Sequence, residues 1–205
     1  NGQTGEDLIQ FLSSPQNLSV YDMVMFDGGH LEEDVIYDTD GSDSDGNVVA
    51  VQTALRAYVR DGGSLFVTDW SYDVVEQIWP EMVDFVGDDT LPDDAQRGEP
   101  EVVDARVVHP GMSSNIGAEN VTIDFDMAVW PPVVSTSDDV TVFVRGDVHS
   151  REGMNTSQHN SSPLLLEFGS GDGTVVYSTW RATANDSGES LEVVRYMFSR
   201  LTSAE

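Results

Sequence analysis

Leu55-Arg-Ala-Tyr-Val-Arg-Asp-Gly-Gly-Ser-Leu-Phe-Val-Thr-Asp69 decides the fold. Val51, Ala54, Leu55, Tyr58 and Val59 recur at helical spacing and predict an amphipathic helix over 48–60. Asp61-Gly62-Gly63 ends that helix, because glycine takes the left-handed conformation that closes a last turn. Ser64 to Thr68 then runs apolar without alternation, the pattern of a strand covered on both faces in a parallel sheet. Asp69-Trp70-Ser71 turns the chain into a further helix, Tyr72 to Trp79, which Pro80 stops.

Upstream the same grammar holds. Tyr21 to Phe26 is a compact apolar strand that runs into Asp27-Gly28-Gly29-His30, a tight turn. Before it, residues 4–13 read as a short helix with Thr4 as N-cap and an acidic first turn, ended by Pro15. Residues 31–47 form an acidic loop. Downstream the pattern shifts. Residues 101–108, 120–130 and 140–145 alternate as strands, and 164–168 with 174–179 read as a hairpin around a glycine-rich turn. Leu191 to Leu201 is a closing amphipathic helix. This order predicts a single α/β domain over 1–205. It is a three-layer sandwich with a mostly parallel central sheet and antiparallel additions in the C-terminal half. A doubly wound fold opens on a strand and this chain opens on a helix, so a leading strand is expected to be missing or supplied by another chain.

Charge bounds the partners. The 205 residues hold 37 Asp and Glu against nine basic residues, all Arg, for a net charge of −28. Such a surface repels DNA, RNA and anionic membrane, which need a basic face. Concentrated salt screens that repulsion, so the composition fits a halophilic or marine source. The absence of Cys excludes disulfides, thiolate metal sites and a Cys nucleophile. No apolar run approaches the roughly 20 residues that span a bilayer. Five Asn-x-Ser/Thr triplets, at Asn17, Asn120, Asn155, Asn160 and Asn185, exceed the roughly one that eight Asn would give by chance. Such triplets accept glycans on surface loops of exported proteins, so an extracellular or cell-surface glycoprotein is expected, and the abrupt start at Asn1 is compatible with a removed leader.

Three segments together resemble a known superfamily. Tyr21-Asp-Met-Val-Met-Phe-Asp-Gly-Gly29, the 55–69 stretch and Ser162-Pro-Leu-Leu-Leu-Glu-Phe-Gly-Ser-Gly-Asp-Gly-Thr-Val-Val-Tyr177 look like the class I glutamine amidotransferase-like (flavodoxin-like) superfamily. Within it, the trehalose-utilisation-like and uncharacterised surface-protein branch is the nearest likeness. The resemblance places a Cys nucleophile on the bend after the strand that Ser64–Thr68 matches, and a His after the strand that Thr174–Thr179 matches. This chain carries Asp69-Trp70-Ser71-Tyr72 and Trp180-Arg181 there. The resemblance therefore implies the fold without amidotransferase chemistry, a pseudoenzyme.

Four groups of residues remain as candidates. Ser71 is a substitute nucleophile, with His30 or His149 as base and Asp69 or Asp147 as orienter, or else a plain helix cap. Asp27, His30 and Asp69 form a corner that could hold a metal. Asp38, Asp40, Asp43 and Asp45 offer alternating hard oxygens suited to Ca²⁺, though no EF-hand register fits. Trp70 and Trp180 fall where the C-terminal edge of the sheet is expected, either stacked on a sugar or plugging the corner. The residues read best as a non-catalytic surface domain that associates with other protein chains, with divalent cations or glycans at its acidic faces. A hydrolase or a carbohydrate-binding module are the rival readings.

Overall fold

The computed structural model describes residues 5–28, 33–43, 45–87, 92–181 and 188–202. In chain order these form α1 (Gly5–Leu12), α2 (Pro15–Leu18), β1 (Met23–Asp27), α3 (Asn47–Arg60) and β2 (Ser64–Thr68). A 3₁₀ turn (Asp69–Tyr72) leads into α4 (Asp73–Ile78), β3 (Val83–Phe85), β4 (Arg97–Gly98), β5 (Glu101–Val107) and α5 (Pro110–Ile116). The chain closes with β6 (Asn120–Phe125), β7 (Val133–Thr136), β8 (Thr141–Glu152), β9 (Asn155–Ser170), β10 (Gly173–Ser178) and α6 (Glu189–Thr202).

The main sheet runs β1-β2-β10-β9-β8-β5-β6, with β4 added against β8, and β3 pairs with β7 apart from it. β1, β2 and β10 are parallel, and their register aligns Asp27, Thr68 and Ser178 at one end. β9, β8, β5 and β6 follow antiparallel, so the antiparallel part is larger than the sequence pattern suggested. Among the described residues β1 has a strand on one side only, and Met25 on it is 42% exposed.

The pleat of β2 builds both cores. Leu65 and Val67 join Val175, Tyr177 and Leu166 under α3 and α4, while Phe66 joins Val176, Leu165 and the α6 residues Val193, Val194 and Met197. Burying each such side chain contributes about 1.5–3 kcal/mol before entropy is counted. The three layers expected from the sequence are thus present. The Gly-Gly stop of α3 is also a packing requirement, since a Cβ at Gly63 would lie 2.3 Å from the Tyr58 ring.

Residues 31–47 are more than a solvated loop. Val35, Ile36 and Tyr37 within them are buried in the α3-side core. A second departure is the long β8–β9 arm, which sequence alternation did not reveal beyond Arg145. Ser150 braces it from inside, bonded to Gln96 Oε1 at 3.0 Å and His159 Nε2 at 2.8 Å. Among the described residues no helix is long and apolar enough to cross a membrane.

Candidate functional site

The aligned ends of β1, β2 and β10 meet at one corner. Parallel strands of an open α/β sheet direct their C-terminal ends to a shared crevice, which is where such folds hold ligands. Thr68, the last residue of β2, donates from Oγ1 to Asp27 Oδ1 at 3.1 Å, so the two strand ends are tied together. The next residue is Asp69, whose φ is +58°. A non-glycine residue held there costs on the order of 1–3 kcal/mol and persists where surrounding structure over-determines it. Here Tyr177 of β10 fixes the bend, because its buried hydroxyl donates to the Asp69 carbonyl at 3.1 Å.

That bend turns the Asp69 carboxyl into a cleft of about 240 Å³ between the strand ends and the β6–β7 connection. Its walls include Asp124, Asp126, Trp130, Trp180 and Arg181. Asp69 is 5% exposed. Burial pushes its carboxyl up to about 7, the Arg181 guanidinium pulls it back, and the Asp27 and Asp126 charges raise it further. The Arg181 contact is loose, with Nε 3.7 Å from Asp69 Oδ2. Gly28 lies against the same pair: a Cβ there would stand 3.4 Å from Arg181 Nη1 and 3.5 Å from Asp69 Oδ2.

The indoles of the cleft carry a second signal. Trp130 and Trp180 are 1% and 6% exposed, and neither Nε1–H finds an acceptor among the described residues. A buried donor left unsatisfied costs about 1–3 kcal/mol, and both Nε1 atoms are closed off from the open cleft, so the indoles meet it through their rings. Trp130 is held by stacking on Phe125 with centroids 4.0 Å apart and by its carbonyl, which accepts from Gly98 N at 2.7 Å. Gly98 cannot be larger, because a Cβ there would lie 2.1 Å from the Trp130 ring.

The sequence-derived candidates distribute unevenly over this geometry. Asp27 and Asp69 are neighbours, as expected, and His30 lies outside the described residues. Ser71 is 2% exposed inside the 3₁₀ turn and does not line the cleft. His149 is on the arm, its Nδ1 2.9 Å from Glu101 Oε2, so Ser71 and His149 are not brought together as a nucleophile and its base. Asp147 is also on the arm, where it accepts from Ser161 N at 2.7 Å. Trp180 walls the cleft. Trp70 instead turns inward, donating to Asp93 Oδ1 at 2.9 Å with Arg97 over its ring, so it offers no stacking face.

The acidic loop gathers a different set from the one its spacing suggested. Oxygens of Glu33, Asp34, Asp38 and Asp40 lie within 4.8 Å of one another. Asp43 leaves that group to cap α3, accepting from Asn47 N at 2.8 Å and Val48 N at 2.9 Å. Asp45 is exposed. Much of the cluster is already satisfied internally: Asp38 Oδ1 takes Gly41 N and Ser42 N, and Glu33 takes both groups of Thr39. Four of the five glycosylation triplets fall on described residues, and Asn17, Asn120, Asn155 and Asn160 are all exposed; Asn185 lies outside them.

Comparison with known proteins addresses the fold. No family model matches the chain, and no curated protein does. A putative ThuA-like protein from Bacteroides uniformis matches 96% of this chain and 75% of its own at 11% identity, with a TM-score of 0.62. A cytoplasmic protein from Salmonella typhimurium matches 93% and 74% at 14% identity, with a TM-score of 0.58. A second cytoplasmic protein from the same organism gives 93%, 72%, 12% and 0.53. The fold is the class I glutamine amidotransferase-like fold. At such identities the likeness extends to the chain path and not to the residues of the cleft. The amidotransferase-like fold shared with ThuA-like proteins is nonetheless what places Asp69 on the bend after its second parallel strand.

Proposed function

We propose that this amidotransferase-like domain binds a small polyhydroxylated molecule in the Asp69 cleft, and that Asp69 exchanges a proton with it. One observation carries the reading: a single cleft brings the carboxyls of Asp69, Asp124 and Asp126 and the Arg181 guanidinium together with the indoles of Trp130 and Trp180. Hydroxyl groups donate to carboxylates and accept from a guanidinium, and a sugar ring packs on an indole, so a neutral polyol suits all three, whereas an anion would face Asp69, Asp124 and Asp126. Asp69, with a carboxyl that titrates near 7, is suited to give or take a proton at neutral pH. The ThuA-like name of a fold neighbour, which refers to trehalose utilisation, is in keeping with a sugar. Calorimetric titration with a panel of mono- and disaccharides tests the proposal. Binding by the wild type, weakened about fivefold or more in Asp124→Ala and in Asp126→Ala, is expected from loss of one acceptor each. Equal binding by all three proteins would remove the basis for the assignment.

A second reading concerns the setting of the domain. The exposure of all four described triplet asparagines, with the charge of −28, favours an exported, glycosylated domain in high salt that assembles with other protein chains. The open side of β1 is suited to receive a strand from such a chain. Mass spectrometry of protein from its native source checks this reading; bare asparagine at every triplet would count against it.

A further inference from the structure

We propose that a second cleft, at the opposite end of the parallel strands from Asp69, binds an organic cation, an ammonium or guanidinium group on an apolar stem. The cleft measures about 410 Å³ and is lined by α2 residues, by Tyr21 and Asp22 ahead of β1, and by Tyr58 and Asp61 to Gly63 at the end of α3. β1 and β2 begin side by side there, with Met23 opposite Ser64. The backbone that carries Tyr21 and Asp22 is fixed at both residues. The Tyr58 hydroxyl, on a side chain buried beneath, donates to the Tyr21 carbonyl at 2.9 Å, and Ser64 N donates to the Asp22 carbonyl at 3.1 Å. On the α3 side, Gly62 N and Gly63 N donate to Val59 O and Tyr58 O at 3.0 and 2.9 Å. The walls are therefore built before any ligand arrives.

Charge and shape select the ligand. Among the described residues that line this cleft, Asp22 and Asp61 are the only charged side chains. Two negative charges with no lining cation repel an anion, and the C-terminal end of the 14-residue α3 adds its negative dipole end. Arg60 does reach Asp61, Nε to Oδ1 at 2.8 Å, but from outside the cleft and with both side chains about two-thirds exposed. Such a pair contributes about 0–1 kcal/mol and yields to a better-placed cation. Tyr21 supplies what a carboxylate pair alone lacks. Its ring is 51% exposed and is steadied edge-on by Phe11, with centroids 5.8 Å apart. An ammonium or guanidinium uses both features, donating hydrogens to the carboxylates while its charge and stem rest on the ring. A bare metal ion would leave the ring idle. The acids close enough together to hold one lie elsewhere, at Glu33, Asp34, Asp38 and Asp40. This cleft and the Asp69 cleft share no lining residue, so the two assignments stand independently.

Two probes present the same group from different sources: agmatine as a free amine, and an acetylated, amidated Val-Arg-Val peptide as a side chain of another protein. Each is titrated into the full chain in buffered NaCl, with calorimetry for affinity and amide NMR shifts for location. Binding is expected to move the Gly62 and Gly63 amides. Tyr21→Leu and Asp22→Asn should each weaken it about fivefold or more, by loss of the ring face and of one carboxylate. Should either variant fail to fold, Asp61→Asn gives the same reading from the α3 side. Asp104→Asn removes an equal charge from exposed β5, on the other side of the sheet, and should leave the affinity unchanged. Tighter binding of the peptide assigns the group to a protein side chain, and tighter binding of agmatine to a free amine. The proposal is overturned if neither probe binds, if the shifts spread over the acidic surface instead of centring on Gly62 and Gly63, or if Asp104→Asn weakens binding as much as Asp22→Asn. The last two results would reduce the effect to diffuse attraction by net charge.

Discussion

The chain holds two gatherings of carboxylates whose physical situations are opposite. In the loop over 33–43 the acids are partly or fully exposed and accept from backbone amides and hydroxyls. Asp40 is lowered from its ordinary value, chiefly by Ser42. At the corner and behind it, Asp69 and Asp73 are buried, and desolvation raises both. Net charge alone treats the two groups alike. The difference teaches that the same side chain is satisfied locally in the loop, whereas burial of Asp69 and Asp73 opposes folding when they are charged.

Substitutions should separate the two sets. The largest effect is expected at Asp69. A raised folded-state value means its contribution to stability is full below the unfolded value of 3.8 and is lost as pH rises through about 7. Asp69→Asn should therefore raise stability at pH 8 by several kcal/mol, with about 1.4 kcal/mol for each pH unit between those values as the upper scale. It should also flatten the pH dependence of the melting temperature across that window. Unchanged stability would mean that Asp69 is better solvated than its burial implies.

A smaller effect of opposite sign belongs to the loop. Asp43→Ala removes the side chain that accepts from Asn47 N and Val48 N, and loss of such a cap costs about 1 kcal/mol. Denaturant titration checks it, and Asp43→Asn should retain most of the loss-sensitive stability. Trp130→Phe sharpens the contrast on the neutral side. Without ligand it should stay within about 1 kcal/mol of the wild type, because deleting an unsatisfied donor offsets the cavity the smaller ring leaves. Least of all is expected from Asp61→Asn. Its partner Arg60 is exposed beside it, and the melting temperature should not move measurably.

Much of the parallel part was legible in the sequence because local and tertiary signals agree there. The α3 periodicity, the Gly-Gly stop and the unbroken Ser64–Thr68 run all reflect burial that the structure bears out. Elsewhere local signal was weak. Pro110-Gly-Met-Ser-Ser-Asn-Ile116 has few good helix formers, yet His109 caps it by accepting from Met112 N and Met112 is fully buried. The arm beyond Asp147 is polar on both faces, so no alternation betrays its strands. For the site, the bend after Thr68 could be located but its working residue could not. Ser71 has a nucleophile's chemistry and turned out to be enclosed. Asp69 passed for an ordinary turn residue because nothing local reveals a positive φ. The part played by Trp130 depends on a contact with Gly98, 32 positions away, which no linear pattern contains.

The flank of Met23–Asp27, unpaired among the described residues, gives salt two opposing roles in this molecule. Dilute buffer keeps copies far apart by mutual repulsion at a net charge of −28, so an unguarded ribbon of Met and Phe does no harm. Brine removes that barrier while it steadies each copy. Filament or fibre growth seeded along this border should consequently begin only above a threshold ionic strength, and Met25→Lys should raise the threshold.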